Sequence, residues 1–347
     1  MLSGSPMTKL GILLRLARTY AAYRRRDETP PPPLRLWVEA STRCNLRCPM
    51  CPNKELPADA RDTMDLDLFR KIVDQARGTV NDMYLHHRGE PFTNPALFDM
   101  ISCAEAAGIR TRFHSNGALL TAEKADKLLD ACPSIVSFSV DGFSKEPYEA
   151  ARPGAVFETT LGNILHLARR RRERRQRRPY LVVERIRFRK PHPGESPEAI
   201  AALRQRFLDA GIDEVIEKEE YDWTTADAPD GGRPRIHTCC TFPWYAMVVC
   251  ADGTVTPCPQ DFWAKMNMGD LRTASLQEIW HGEAYRALRR AMRGDIESLP
   301  LCRTCDRLCR KTVADVPWQY AATFLIDQVF GYGRLRKAFG TAERNGP

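Results

Sequence analysis

Between residues 34 and about 222, short apolar runs alternate with longer stretches whose apolar positions recur at helical spacing. The runs at 34–40, 82–86, around Phe113, 135–142, 180–188 and 213–219 read as strands, several ending in polar turns. Between them, helical periodicity predicts helices over 65–76, 95–107, 121–130, 159–178 and 197–210. Alternation of this kind implies a parallel sheet with right-handed crossovers. The pattern then changes. Residues 242–258 read as a β-hairpin turning at Asp252-Gly253, and residues 275–292 as an amphipathic helix. Ahead of the first strand, residues 8–26 can form a basic amphipathic helix with Leu10, Leu13, Leu14, Ala17 and Ala21 on one face. Pro30–Pro33 follow as a stiff spacer. No internal repeat is evident.

The chain has 347 residues, enough to bury a large core, and a net charge of +8. That charge resembles a nucleic-acid signal until it is located. Residues 169–178 hold eight arginines and one glutamate, a net +7, so the rest of the chain carries about +1. The run closes a helix that precedes a strand. This suits a solvated helix end better than a nucleic-acid groove. No segment reaches the ~20 apolar residues of a membrane span, and no signal peptide is apparent. The helix over 8–26 either packs across the fold or lies on an anionic membrane surface, since Lys9, Arg15, Arg18 and Arg24–Arg26 suit such lipid.

Cysteines change the picture most. Cys44, Cys48 and Cys51 lie in one loop, spaced C-x3-C-x2-C, directly after the first strand. Thiolates hold iron-sulfur clusters, and a cubane normally takes four. Three close ligands with no fourth nearby leave one iron open to a small molecule. A structural zinc site is the alternative, though it usually takes four ligands. A disulfide framework suits shorter secreted chains. Reduced cysteines point to the cytoplasm.

Further segments fall in order along the alternating region: Gly89-Glu90-Pro91, Ser115-Asn116-Gly117, Ser139-Val-Asp141-Gly142, and Tyr148-Glu149 followed by Arg152. Together with the cysteine loop they resemble the radical S-adenosylmethionine (SAM) superfamily. The resemblance implies a partial (β/α)6 TIM-like barrel. It implies a [4Fe-4S] cluster with an open iron site on Cys44, Cys48 and Cys51, where SAM binds and is cleaved to a 5′-deoxyadenosyl radical. It places Gly89, Glu90, Pro91, Asn116, Ser139, Asp141 and Arg152 around SAM, with the Arg152 guanidinium suited to the SAM carboxylate. Arg88 stands where the family has a first glycine, and Met50 where an aromatic residue often flanks the adenine.

Seven of the 12 cysteines lie after residue 238. Cys240 and Cys258 flank the hairpin, and Cys302-Arg-Thr-Cys305 follows the helix. This resembles the SPASM/twitch extension in its shorter form. The resemblance implies one auxiliary [4Fe-4S] cluster on Cys240, Cys258, Cys302 and Cys305. A four-cysteine zinc site is the rival there. Cys239, Cys250 and Cys309 are left over. Cys250 is either a packed thiol or a hydrogen-atom donor. Cys103 and Cys132 fall in apolar helical stretches and read as core.

The organisation expected is a leader with polyproline linker over 1–33, the barrel over 34–235, the auxiliary domain over 236–312 and a helical tail over 313–347. The expected activity is oxidation of a polar small molecule, such as a sugar, nucleotide sugar or cyclitol. Alternatives are an epimerase using a cysteine donor, a peptide or protein maturase and, more distantly, a nucleic-acid-modifying enzyme. An external one-electron reductant of the flavodoxin or ferredoxin kind is implied. Glu184, Arg185, Arg187, Lys218, Glu219, Glu220 and Tyr221 lie near the last two strand ends and are candidates to line the substrate site.

Overall fold

A computed structural model describes residues 9–190, 196–220, 239–309, 312–313 and 315–317. Helix α1 (Lys9–Arg25) leads into β1 (Arg35–Val38), α2 (Leu66–Ala76), β2 (Asp82–Tyr84), α3 (Leu97–Ala106), β3 (Arg110–Ser115), α4 (Ala122–Ala131) and β4 (Ile135–Ser139). Then come α5 (Lys145–Ala151), α6 (Phe157–Glu173), β5 (Tyr180–Arg187), α7 (Pro197–Ala210) and β6 (Glu214–Glu219). The helices start where polar side chains cap free backbone amides. Asp65 accepts from the amides of Asp67 and Leu68, Thr121 from Lys124, and Ser196 from Ala199. Strands β1 to β6 pair in parallel in sequence order, as the alternation implied, in keeping with the partial barrel the resemblance implied. Helix α5 was not foreseen. Helix α6 stops at Glu173, short of residue 178.

The remainder comprises α8 (Phe242–Tyr245), β7 (Ala246–Val249), β8 (Thr254–Thr256), β9 (Gly269–Asp270), α9 (Leu276–His281), α10 (Glu283–Gly294), β10 (Thr312–Val313) and β11 (Val316–Pro317). The hairpin does not stand apart from the barrel. β7 pairs in parallel with β1, so one sheet runs β6-β5-β4-β3-β2-β1-β7-β8-β9. The helix expected over 275–292 is broken at Gly282 into α9 and α10.

Alternation along the strands sorts two faces. Leu36, Val38, Met83, Leu85, Phe113, Val136, Phe138, Leu181 and Val183 are buried in one core with Phe69, Ile72, Ile101, Leu128 and Ile164 of the helices. The other face carries Arg35, Trp37, Asp82, Tyr84, Arg112, His114 and Glu184. Arg35 pairs with Asp82 at 2.5 Å, and Trp37 stacks on Tyr84 with ring centres 4.3 Å apart.

Of the two placements expected for the leader helix, packing across the fold is the one seen. Leu16, Thr19, Ala22 and Tyr23 of α1 are buried. The stretch after α1 is stitched to the C-terminal unit. Trp244 Nε1 donates to the Asp27 carbonyl, Trp280 Nε1 to that of Pro31, and Arg289 Nη1 to that of Glu28, at 2.7–2.9 Å. The strap's carbonyls at Asp27, Glu28, Pro30 and Pro31 all accept from the C-terminal unit, the last but one from His281 Nε2 at 2.9 Å. Residues 1–8, 236–238 and 318–347 of the expected organisation lie outside the described residues, so most of the proposed tail does too.

The arginine run is an ion-paired helix end. Arg170 and Arg174 both reach Asp126, at 2.9 and 2.5 Å, and Arg174 also reaches Asp130 at 2.6 Å. Arg171 is buried against Asp213 and two backbone carbonyls. Arg178 meets Glu105 at 2.6 Å. No helix of the described residues is long and apolar enough to cross a membrane.

Candidate functional site

The loop after β1 carries Cys44, Cys48 and Cys51 to the C-terminal edge of the parallel strands. The Cys51 amide donates to the Cys48 carbonyl at 3.0 Å, folding the second and third cysteines into one turn. The Leu46 amide reaches Cys44 Sγ at 3.5 Å, and Asn116 Nδ2 lies 4.0 Å from the same sulfur. Burial raises all three thiols above the ordinary range, and each feels the negative charge of another member of the set. The three are thus gathered in a water-poor setting. Met50 is half-buried and packs on the main core.

Gly89-Glu90-Pro91 braces this loop from behind. A side chain on Gly89 would collide with the backbone of residues 41–43, with the Arg43 carbonyl only 2.6 Å from the Cβ position. The close approach therefore requires glycine. The Glu90 amide donates to the Arg43 carbonyl at 2.8 Å. Its buried carboxylate accepts from the amides of Phe92 and Asn116 and from Ser115 Oγ, at 2.8–3.1 Å. Glu90 is thus a strut between two loops, and burial still raises its pKa. Asn116 Nδ2 also donates to Asn45 Oδ1 at 2.9 Å, tying the β3 turn to the cysteine loop.

Asp141 and Arg152 meet on the other flank. Arg152 Nη2 lies 2.5 Å from Asp141 Oδ2, while Asp141 Oδ1 accepts from the Ile186 amide at 3.0 Å. Arg152 Nη1 lies 4.0 Å from Cys48 Sγ, and its Nε is buried without a partner. The guanidinium stands at the cysteine loop with one donor unspent. Ser139 ends β4 and is only half-buried.

The second group of cysteines is also brought together. Burial raises Cys240 and Cys302, and it raises Cys258 to about 12. Cys240 feels the charges of Cys258, Cys305 and Cys302, and Cys302 those of Cys258 and Cys305. Cys239 feels burial first, rising to about 11, but its charged neighbours are Arg26 and Asp315. Cys302 also feels its charge, so Cys239 borders the group as well. Two rigid pieces deliver the set: the hairpin anchored on β1, and the turn after α10, where the Cys305 amide donates to the Cys302 carbonyl at 3.0 Å. Among the described residues, no three His, Cys, Asp or Glu side chains close up to the spacing of a single-ion site. A four-iron cluster binds each ligand to a different iron and so accepts a wider set. Cys103 and Cys132, expected in the core, are half-buried.

Arg88 and Cys250 prove to be neighbours. Arg88 forks onto the buried Glu39 carboxylate, Nε to Oε1 at 2.9 Å and Nη2 to Oε2 at 2.6 Å. Glu39 Oε2 also accepts from the Ala251 amide at 3.1 Å. The residue that departs from the family glycine therefore links the barrel to the hairpin. Cys250 is 1% exposed, and burial, followed by the Glu39 carboxylate, raises its thiol.

Of the residues expected near the last strands, Glu184 and Lys218 meet at 2.6 Å. Arg185 pairs with Glu217 at 3.0 Å and packs over Phe143, while Arg187 pairs with Glu219 at the surface. Glu220 accepts from the Arg189 amide at 2.9 Å, and Tyr221 lies outside the described residues. Two histidines that sequence reasoning passed over join Glu184. His114 Nδ1 lies 3.4 Å from Glu184 Oε2, and the His86 and His114 rings lie 4.4 Å apart. Their signal was positional. Each follows Tyr84 or Arg112 by two residues, on the face opposite the helices.

A family model described as the radical SAM superfamily matches residues 38–174, and one described as an iron-sulfur cluster-binding domain, SPASM, matches residues 239–306. The tungsten-containing aldehyde ferredoxin oxidoreductase cofactor-modifying protein of Pyrococcus furiosus is 31% identical over 192 residues, 52% of this chain and 50% of that one. The chain thus spans about half the length of that relative. The S-adenosyl-L-methionine-dependent 2-deoxy-scyllo-inosamine dehydrogenase of Niallia circulans is 21% identical over 280 residues, 79% of this chain and 93% of that one. Streptococcus suis SuiB bound to precursor peptide SuiA shares the fold, with a TM-score of 0.60 at 13% identity, covering 88% of this chain and 79% of that one.

Proposed function

Because the chain belongs to the radical SAM superfamily and carries a C-terminal SPASM domain, we propose that it oxidises a polar small molecule, a sugar, nucleotide sugar or cyclitol, by radical chemistry. The observation that carries this reading is the gathering of Cys44, Cys48 and Cys51 beside Arg152, with a second four-cysteine group held between the adjoining hairpin and the turn after α10. The residues fit the cofactors. Three buried thiols suit a cluster with one open iron, and the unspent Arg152 Nε suits an anion arriving beside it.

In this reading Cys44, Cys48 and Cys51 would hold a [4Fe-4S] cluster, which would supply the reductive cleavage of SAM that starts radical chemistry. Cys240, Cys258, Cys302 and Cys305 hold an auxiliary cluster. An external one-electron reductant of the flavodoxin or ferredoxin kind feeds the site. Arg152 orients the SAM carboxylate, and Asp141 keeps the guanidinium in place. Gly89 lets the segment 89–91 press onto the cysteine loop, and Glu90 fixes the Asn116 turn against it. Met50 and Ser139 border the same edge. These residues bind, orient and exclude water.

Two observations favour oxidation of a small polar molecule over the alternatives. Similarity to a cyclitol dehydrogenase spans 79% of the chain and supports the substrate class, although PqqA peptide cyclases match over 81% of it, which is why peptides belong in the test. Cys250 is sealed behind Glu39 and Arg88, out of reach of a substrate carbon unless the hairpin moves, so it reads as packing rather than as the donor an epimerase needs. The test is anaerobic reconstitution, dithionite reduction and a screen of cyclitols, sugars, nucleotide sugars and peptides for 5′-deoxyadenosine release. A product two hydrogens lighter from a polyol supports the reading. Turnover of peptides alone overturns the substrate class.

A further inference from the structure

The inner face of the sheet carries a cluster drawn from four strands or their ends: His86 after β2, His114 on β3, Glu184 on β5 and Lys218 on β6. Glu184 is the hub. Lys218 Nζ lies 2.6 Å from its Oε2, and His114 Nδ1 lies 3.4 Å from the same oxygen. Burial works against ionising Glu184, but His114 and Lys218 outweigh it and hold its carboxyl below the ordinary range. The two histidines are polarised in different senses. The His114 amide donates to His86 Nδ1 at 3.2 Å. A backbone N–H can only donate, so His86 Nδ1 must be bare and its proton sits on Nε2. Burial, and then the neighbouring His114, hold His86 in this neutral form by pushing its pKa well down. His114 has the opposite assignment. A carboxylate can only accept, so Nδ1 carries the proton facing Glu184 and Nε2 is left as an acceptor. The His114 side chain is 30% exposed and Glu184 11%, so the imidazole is the more accessible of the two.

We propose that His86, His114, Glu184 and Lys218 form the substrate-binding site for a neutral polyhydroxylated ring, with His114 Nε2 accepting the proton of the hydroxyl that is oxidised. This rests on the reading of the chain as a radical SAM oxidase of a polar small molecule. His86 Nε2–H supplies a donor and His114 Nε2 an acceptor on neighbouring strands, a pairing suited to adjacent hydroxyls. Glu184 is a positioning residue that fixes the His114 tautomer, the arrangement by which carboxylates make imidazoles into bases. Atoms and electrons balance. The 5′-deoxyadenosyl radical takes the hydrogen atom from the carbinol carbon and becomes 5′-deoxyadenosine. The substrate O–H bond breaks as its proton forms an N–H bond with His114 Nε2. The remaining unpaired electron passes to the auxiliary iron-sulfur cluster as the C=O bond completes.

Two measurements on the reconstituted holoenzyme test this. The first uses no substrate. Nitrogen-15 spectra of histidine-labelled protein at neutral pH are expected to show His86 protonated on Nε2 alone and His114 on Nδ1 alone, with the His114 signals displaced in Glu184→Gln. A His114 proton on Nε2, or a doubly protonated His114, overturns the proposal. The second follows binding of myo-inositol, glucose and UDP-glucose by ligand-observed NMR with SAM present. At least one should bind, and His114→Ala should weaken it by about tenfold or more, the cost of a hydroxyl left without its acceptor. His114→Gln, which restores a hydrogen-bonding side chain, should recover part of that affinity but no oxidised product. Binding that ignores His114→Ala, or no polyol bound by the parent protein, overturns the site. If the polyol binds through His114 but no product two hydrogens lighter forms, the site stands and the oxidase reading fails.

Discussion

Single residues carry the site through what burial allows. Arg152 faces both Asp141 and Cys48 and keeps one donor free, which suits the proposed double role in SAM binding and in structure. Arg152→Ala is expected to weaken SAM binding by about 1.5–3 kcal/mol, the scale of a charge-assisted hydrogen bond. It should also lower thermal stability, because Asp141 is left buried and half-paired. Isothermal titration with SAM against thermal melts separates the effects, and unchanged SAM affinity with a lower melting temperature would make Arg152 purely structural. Cys250→Ala should leave product formation and cluster content unchanged, and loss of product with 5′-deoxyadenosine still formed would restore the hydrogen-donor role. Cysteine spacing and the polar strand ends were legible in the sequence because they are local. The Glu39–Arg88 link and the His114–Glu184 pair were not, because their partners lie 49 and 70 positions apart and meet only through the parallel register.

Among the elements, the leader packs across the fold, one of its two expected placements, but by a different face. Helix α1 buries Leu16, Ala22 and Tyr23 and leaves Leu10, Leu13 and Leu14 exposed, so the face singled out by periodicity points outward. Two faces of one helix were apolar enough to bury, and only tertiary packing chose between them. Deleting residues 1–33 should therefore destabilise the C-terminal unit, since Trp244, Trp280 and Arg289 lose the carbonyls they donate to. A buried donor left unmade costs about 1–3 kcal/mol. Differential scanning calorimetry should show a lower melting temperature with loss of auxiliary-cluster absorbance. An unchanged melt would mean the strap only rests on the surface. The exposed leucines bear on a separate expectation. With no acidic residue anywhere in α1, Leu10→Glu with Leu14→Glu should abolish any sedimentation of the protein with phosphatidylglycerol vesicles. Equal sedimentation of parent and variant would remove α1 as a lipid-facing element.

For the whole molecule, the six-stranded parallel core followed from alternation alone, and its helices fell within a few residues of expectation. The joining of the hairpin to β1 did not follow, because β7 is a short apolar run whose partner lies some 200 residues earlier. That joining has a functional consequence. It mounts the second cysteine group on the same sheet that holds the first, so the two iron sites become parts of one rigid frame. The direct test of two iron-sulfur sites is metal counting on anaerobically reconstituted protein, parent and Cys44/Cys48/Cys51 triple alanine side by side, with zinc measured in the same samples. About eight irons in the parent and about four in the variant, from two four-iron clusters, are expected. About four irons and one zinc in the parent, with the iron lost from the triple variant, would contradict it.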